Sequence, residues 1–356
     1  MNPPKLAHNQ KAMWSLEALR GLAAWMVVYA HYASFAGIDI PMLRFAYTGV
    51  DLFFVLSGFL FAPYLLGRKL IPVVFAIRRV FRIYPAYLAS LLIYASLKSL
   101  SGLPVVYFWE HLIFFHLQFR EMAFFYNPAY WSLPAEVEFY LFLPLMAKLI
   151  SGQPIRFAVL LVLAIMMRVA LGYFGDTTLQ NTAYVAMHHL PGMLVEFLFG
   201  GVAWHLSQRG KNGKILLLLS CLGVTGWLLL ADVFAKLGNE GINATWVRNQ
   251  TSWLAALSFA LMLPGTALVS KAILPEPLMN ASIWAGRLSY GTYLLHFAAL
   301  MFVTEYLQPA EPVAAVLIAC VLTLGCSWML YHFLENPWRE FGRSMADRVS
   351  AKHSEY

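Results

Sequence analysis

Ten stretches of this chain are apolar over roughly the 17–25 residues that a helix needs to cross a bilayer. They lie near 14–36, 46–66, 83–100, 131–150, 156–174, 187–206, 214–234, 251–271, 284–305 and 313–334. Of the 356 residues, 60% are hydrophobic and 12% charged, against a charged share of about 25% in soluble domains. A water-soluble core cannot hide so much apolar side chain. In lipid the backbone must satisfy its own hydrogen bonds, so runs of this length become helices. The expected fold is all-α: a polytopic bundle of about ten transmembrane helices. The 11 Trp and 18 Tyr suit interfacial belts. No basic, aromatic-interleaved soluble domain is present, so lipids are expected as partners and nucleic acid is not.

The stretch 105–119, with Glu110, His111 and His116, is shorter and wetter. Positive charge decides its status. If it does not span and the N-terminus is cytoplasmic, 18 of the 25 Lys and Arg fall on the cytoplasmic side and five outside, with Arg20 and Arg168 within spans. If it spans, every later loop swaps sides and the bias collapses. The expectation is therefore ten helices, both termini inside, and a re-entrant or interfacial outer segment around 101–130. The segments are a cytoplasmic stretch 1–13, a membrane domain 14–335 and a basic cytoplasmic tail 336–356. Glu17 and Arg20 interrupt the first run, which argues against a cleavable signal peptide. Cys221, Cys320 and Cys326 lie in apolar runs without metal-ligand spacing and read as small buried hydrophobes. No metal site is expected.

Charged and titratable groups inside spans are costly and point to function. Arg20 and His31 share the first run. Eleven residues are close to three helical turns, so both lie on one face about 16 Å apart. In this topology His31, Asp51 and Glu136 come to one outer level. A carboxylate beside an imidazole fixes its tautomer and stabilises the imidazolium; the same groups could instead lock helices together as a buried ion network. The inner level is cationic: Arg20, and Arg78, Arg79 and Arg82 in a loop before Ile83. Arginine is the preferred fork for phosphate, and positive-inside anchoring is the competing explanation. Glu17 is placed to neutralise Arg20. Ser57-Gly58 permits close helix contact. His296 lies near mid-membrane, able to meet a ligand or to bond across helices.

These segments together resemble the membrane acyltransferase-3 family. The resemblance rests on Arg20-x10-His31; on Gly49-Val50-Asp51-Leu52-Phe53-Phe54-Val55-Leu56-Ser57-Gly58-Phe59; and on Arg79-Val80-Phe81-Arg82 followed by Tyr84-Pro85. It continues through Trp131-Ser132-Leu133 with Glu136, Phe139 and Tyr140, then Ser289-Tyr290 with Tyr293-Leu294-Leu295-His296, and Glu335-Asn336-Pro337. Six elements in the same order make it specific. It implies transfer of an acyl group, usually acetyl, from cytoplasmic acyl-CoA to a hydroxyl of a glycan or lipid-linked sugar, in a bacterial inner membrane. Acyl-CoA is then a donor substrate and not a resident cofactor. Many relatives carry a fused extracytoplasmic SGNH domain; this sequence shows none after Glu335-Asn336-Pro337, which implies a separate extracytoplasmic or glycan-export partner, or an acceptor that reaches the site directly.

The reading that follows assigns His31 as general base, with Glu136 or Asp51 orienting it. Arg20, Arg79 and Arg82 hold the CoA phosphates. Ser57, Trp131, Tyr140, His296 and Glu335 support substrate or structure. A covalent acyl-His or acyl-Ser57 intermediate is the variant. The rival class is a transporter or flippase, with the polar layers forming a path.

Overall fold

The computed structural model describes residues 14–354 except 39, 175–179, 210–211, 241–243 and 267–274. The N-terminal segment 1–13 with Lys5 and Lys11, and also Lys211 and Lys271, lie outside the described residues. Among those described there is helix and no strand. The long helices are α1 (Trp14–Phe35), α2 (Gly49–Leu65), α3 (Pro72–Leu100), α4 (Ser132–Ile150), α5 (Pro154–Phe174), α6 (Gln180–His188), α7 (Leu190–Arg209), α8 (Gly213–Glu240), α9 (Ala244–Met262), α10 (Glu276–Phe302), α11 (Pro312–Leu330) and α12 (Asn336–Ser354). Each expected run carries a helix; α6 and α12 match none. Six helical stretches among the described residues are long and apolar enough to cross a membrane: Met42–Leu65, Pro72–Leu100, Pro154–Phe174, Val185–Arg209, Gly213–Lys236 and Pro312–Lys352. Helices such as α1 and α4 are diluted by charge, carrying Glu17 and Arg20, and Glu136, Glu138 and Lys148.

Two sequence expectations are corrected, the arginine loop and the burial of two cysteines, and the tail gains a structure. The arginine cluster is not a loop. Pro72 stands at the first helical position, where its missing N–H costs nothing, so α3 begins well before the apolar run and carries Arg78, Arg79 and Arg82 on a helix. The tail 336–354 is an ordered amphipathic helix laid against α3. Phe81 stacks on Trp338 at 5.9 Å and meets Phe341 edge-on at 5.3 Å, while Arg78 donates to Asp347 at 2.7 Å. Cys221 and Cys326 are exposed rather than buried, because a bilayer helix turns apolar side chains outward to lipid.

The chain divides into two compact units. The first comprises Met1–Ala30, Asp39–Ala62 and Glu196–Tyr290. There α2 and α7 cross at near-backbone contact. A Cβ on Gly58 would collide with the Phe197 carbonyl, and one on Gly200 with the Val55 carbonyl. Trp227 Nε1 donates to Thr48 at 3.0 Å.

The second unit comprises His31–Ile38, Pro63–Val195 and Gly291–Tyr356. Its core is aromatic and hydroxylated, with Tyr87, Tyr94 and Tyr130 wholly buried. The segment between α3 and α4 makes no spanning helix. It folds around the five-residue helix Phe108–Leu112, flanked by Tyr107 at φ 59° and Phe114 at φ 58°. A bulky residue in the left-handed region is strained, and packing holds both bends. Phe114 stacks on Tyr87 at 4.4 Å, and the Tyr87 hydroxyl donates to the His111 carbonyl at 2.7 Å. His111 and His116 stack with ring centroids 4.1 Å apart. Their Nδ1 and Nε2 donate to the carbonyls of Tyr107 (2.8 Å) and Tyr130 (3.1 Å) respectively.

Two predictions follow from this packing. Gly58→Leu forces α2 from α7 and lowers stability by about 1–3 kcal/mol, read as a lower midpoint of thermal unfolding in detergent, whereas Gly58→Ala costs less. Burial pulls the His111 imidazole down to about 4, and burial followed by the His111 charge pulls His116 down to about 3. The unfolded chain takes up these protons near pH 6.5, so the stability they contribute is complete above that pH and is lost as pH falls toward 4. The unfolding midpoint falls between pH 7.5 and 4.5, and the paired change of His111→Phe with His116→Phe flattens that fall.

Candidate active site

A connected polar constellation lies in the second unit, on one turn of α10. His31, at the C-terminal part of α1, meets His296 of α10: its Nδ1 lies 3.0 Å from His296 Nε2, with ring centroids 5.1 Å apart and the rings 20° from parallel. The Phe297 ring stands edge-on to His31 at 6.3 Å. His296 is fully buried, and its Nδ1 lies 2.9 Å from the Tyr293 carbonyl and 3.1 Å from that of Thr292.

The backbone of this turn is clamped from three directions. Tyr32, one residue beyond His31, donates its hydroxyl to the His296 carbonyl at 2.5 Å. The Tyr94 hydroxyl of α3 sits between the two ends of one helical turn, donating to the Leu294 carbonyl at 3.0 Å and accepting from the Ala298 N–H at 2.9 Å. Asn127 donates to the same Leu294 carbonyl at 3.1 Å. Side chains inserted into a helical ladder bend or fix it locally. Beside them Tyr293 donates to the Ala129 carbonyl and lies 2.5 Å from the Ser132 hydroxyl, which ties the start of α4 to α10. Trp131, just before Ser132, packs edge-on to His188 at 5.0 Å.

A second cluster joins α3 to α12. Arg82 forms an ion pair with Glu335, which is buried and ends the π turn Tyr331–Glu335 that links α11 to α12 without a break. Such π turns recur at functional sites. Arg79 lies over the rings of Phe75 at 5.7 Å and Tyr140 at 5.8 Å, and the Tyr140 hydroxyl donates to Glu136. Arg339 donates to Asn336 at 2.7 Å.

The structure thus brings His31 together with His296, Arg82 with Glu335, and Arg79 with Tyr140 and through it Glu136. Arg20 and Asp51 belong to the first unit. Arg20 faces Glu17 at 3.5 Å, as its spacing suggests, and Asp51 accepts from Ser252 at 2.6 Å. Ser57 is half-buried on α2, next to the tight crossing at Gly58. Sequence reasoning missed Tyr32, Tyr94 and Asn127. Tyr94 reads as one more aromatic in an apolar run, and Asn127 falls in the stretch with no periodicity. A buried hydroxyl within the run 83–100 was the one available signal.

Known proteins match this arrangement in sequence. The acyltransferase domain of the acyltransferase-3 family matches residues 13–332. O-acetyltransferase OatA of Staphylococcus aureus strain MRSA252 is 24% identical over 389 residues, covering 98% of this chain and 61% of that protein. OatA of strain NCTC 8325 is 24% identical over 375 residues, covering 94% of this chain and 58% of that protein. The chain therefore spans about three-fifths of the length of these relatives. No solved structure matches it. With a match that spans residues 13–332, nearly its whole length, the chain belongs to the acyltransferase-3 family.

Proposed function

We propose that the protein is an O-acyltransferase of the bacterial inner membrane that moves an acyl group, acetyl by default, from cytoplasmic acyl-CoA to a hydroxyl of a cell-surface or lipid-linked glycan. The observation that carries this reading is the His31–His296 pair on a clamped turn of α10. An imidazole in a membrane-length helix is costly, and one held by a second imidazole is placed for proton transfer. Family membership and the relatives named O-acetyltransferase support the acyl chemistry.

In the reaction the acceptor hydroxyl gives its proton to the His31 imidazole as its oxygen attacks the thioester carbonyl. The tetrahedral intermediate collapses, the C–S bond breaks, and the CoA thiolate leaves and takes up the proton. Arg79 and Arg82, in the same unit as His31, hold phosphate oxygens of CoA. Arg82 is loaned from Glu335 for this purpose, since a phosphate competes for the same guanidinium. Glu136, joined to Arg79 through Tyr140, balances charge. Arg20 and Asp51 are assigned donor-binding and acid–base roles on sequence grounds. The membrane domain is 14–335, with ten spans, and 1–13 and 336–356 lie on the cytoplasmic side. Extracytoplasmic delivery of the acceptor, or a separate partner, completes the system.

Membranes containing the protein, given labelled acetyl-CoA and isolated cell envelope, release free CoA and label the glycan. His31→Ala lowers that transfer by about 10²–10⁴-fold, the usual contribution of general base catalysis. Undiminished transfer in the variant overturns the assignment, and absence of CoA release in the wild type favours a transporter. Arg82→Ala raises the KM for acetyl-CoA about tenfold at unchanged kcat, the mark of lost uniform binding. An unaltered KM with a lowered unfolding midpoint makes the pair with Glu335 structural only.

A further inference from the structure

We infer that His296 is a positioning residue which fixes the tautomer of His31, so that two imidazoles in series do the work a carboxylate does elsewhere. The inference rests on the base role proposed for His31 and specifies how that base is prepared.

The hydrogen-bond polarity can be followed from one end. The carbonyls of Tyr293 and Thr292, at 2.9 and 3.1 Å, only accept. His296 Nδ1 must therefore carry a proton. In a neutral imidazole the other nitrogen is then an acceptor, so His296 Nε2 presents a lone pair. The group 3.0 Å from it, His31 Nδ1, must donate. His31 is left with its lone pair on Nε2, the nitrogen that would take a proton from the acceptor hydroxyl. Each step follows from the one before, and the starting point is backbone, which has no alternative protonation state.

The clamps make this chain rigid. Tyr32, Tyr94 and Asn127 hold the carbonyls of His296 and Leu294 and the N–H of Ala298. These bonds secure the backbone on both sides of the histidine. The rings lie edge to edge, 20° from parallel with centroids 5.1 Å apart, and the bond between them limits rotation of His31 about its own side chain. When His31 accepts a proton on Nε2, both its nitrogens carry hydrogen. Its Nδ1–H still faces the His296 lone pair, which stabilises the imidazolium through a charge-assisted bond. Return of that proton to the leaving thiolate restores the starting tautomer, so the cycle balances with no further reactant.

The test reads the tautomer directly. The full chain, labelled with ¹⁵N-histidine and held in nanodiscs at pH 8, is examined by solid-state NMR, with His31→Gln used to assign the His31 signals. The expected wild-type result is His31 protonated at Nδ1 and unprotonated at Nε2. An Nε2-protonated His31 overturns the relay without any assay of activity. His296→Phe keeps a flat ring but removes the acceptor. It is expected to lower kcat for acetyl transfer by about 10²-fold with the KM for acetyl-CoA unchanged. His296→Gln, whose amide oxygen can reach the former Nε2 position, recovers most of that loss. Equal activity in the wild type and His296→Phe overturns the positioning role, as does equal loss in the Phe and Gln variants. Full transfer by His31→Ala is a separate result, which removes the base reading itself.

Discussion

The second unit depends on how its buried backbone finds hydrogen-bond partners in an apolar setting. On α10 the turn from Thr292 to Ala298 is the crossing point. Its carbonyls and amides serve its own helix and also Tyr94, Asn127, Tyr32 and the ring of His296. Tyr94, Asn127 and Tyr32 each come from a different part of the chain. An unpaired polar group costs several kcal/mol in hydrocarbon, so these bonds are hard to break one at a time. The helix that carries His296 is thereby fixed by α1, α3 and the segment before α4 together. A histidine mounted on such a turn is held in one orientation by the fold alone.

The two clusters of the second unit differ in kind. Around His296 the partners are neutral hydroxyls, amides and imidazoles, which suits a site where charge appears only during reaction. Around Glu335 they are ions: Arg82 against a buried carboxylate, with Arg78 and Asp347 further along the same helix pair. Removing either partner of a buried pair leaves a charge without compensation. An anionic ligand that takes Arg82 must therefore offer more than Glu335 does, and a phosphate with its doubled charge is suited to that exchange.

Much of this was legible in the sequence. The apolar runs mark where helices form, and among the described residues each of the ten carries one. Arg20 spaced three from Glu17 made the contact that spacing allows. The arginine cluster was read as loop because charge hides helix continuation, whereas Pro72 and the aromatic seam of Phe81, Trp338 and Phe341 extend α3 through it. The tail was read as a basic extension because its composition is polar; the side it turns to α3 is one helical face, where Gly342 and Ala346, four residues apart, are buried. The partner of His31 was the least legible point. A histidine at mid-helix does not declare its neighbour, and the pairing of residues separated by 265 positions is set by helix packing that no local pattern records.

The stretch from Pro312 to Ser354 has one more consequence. Its first part, as far as Glu335, rises about 36 Å, already the thickness of a hydrocarbon core. Continuing through the π turn without a break, the helical contour runs about 64 Å in all, about twice the hydrocarbon thickness. Along that seam the ion pairs pass from buried, at Arg82 and Glu335, to exposed, at Arg78 and Asp347, between an ion pair's strength in a low dielectric and its weakness in water. The worth of a charge therefore changes by a large factor over a few residues of one helix pair, which makes the seam a place where the position of a helix and the strength of an ion pair are two readings of the same quantity.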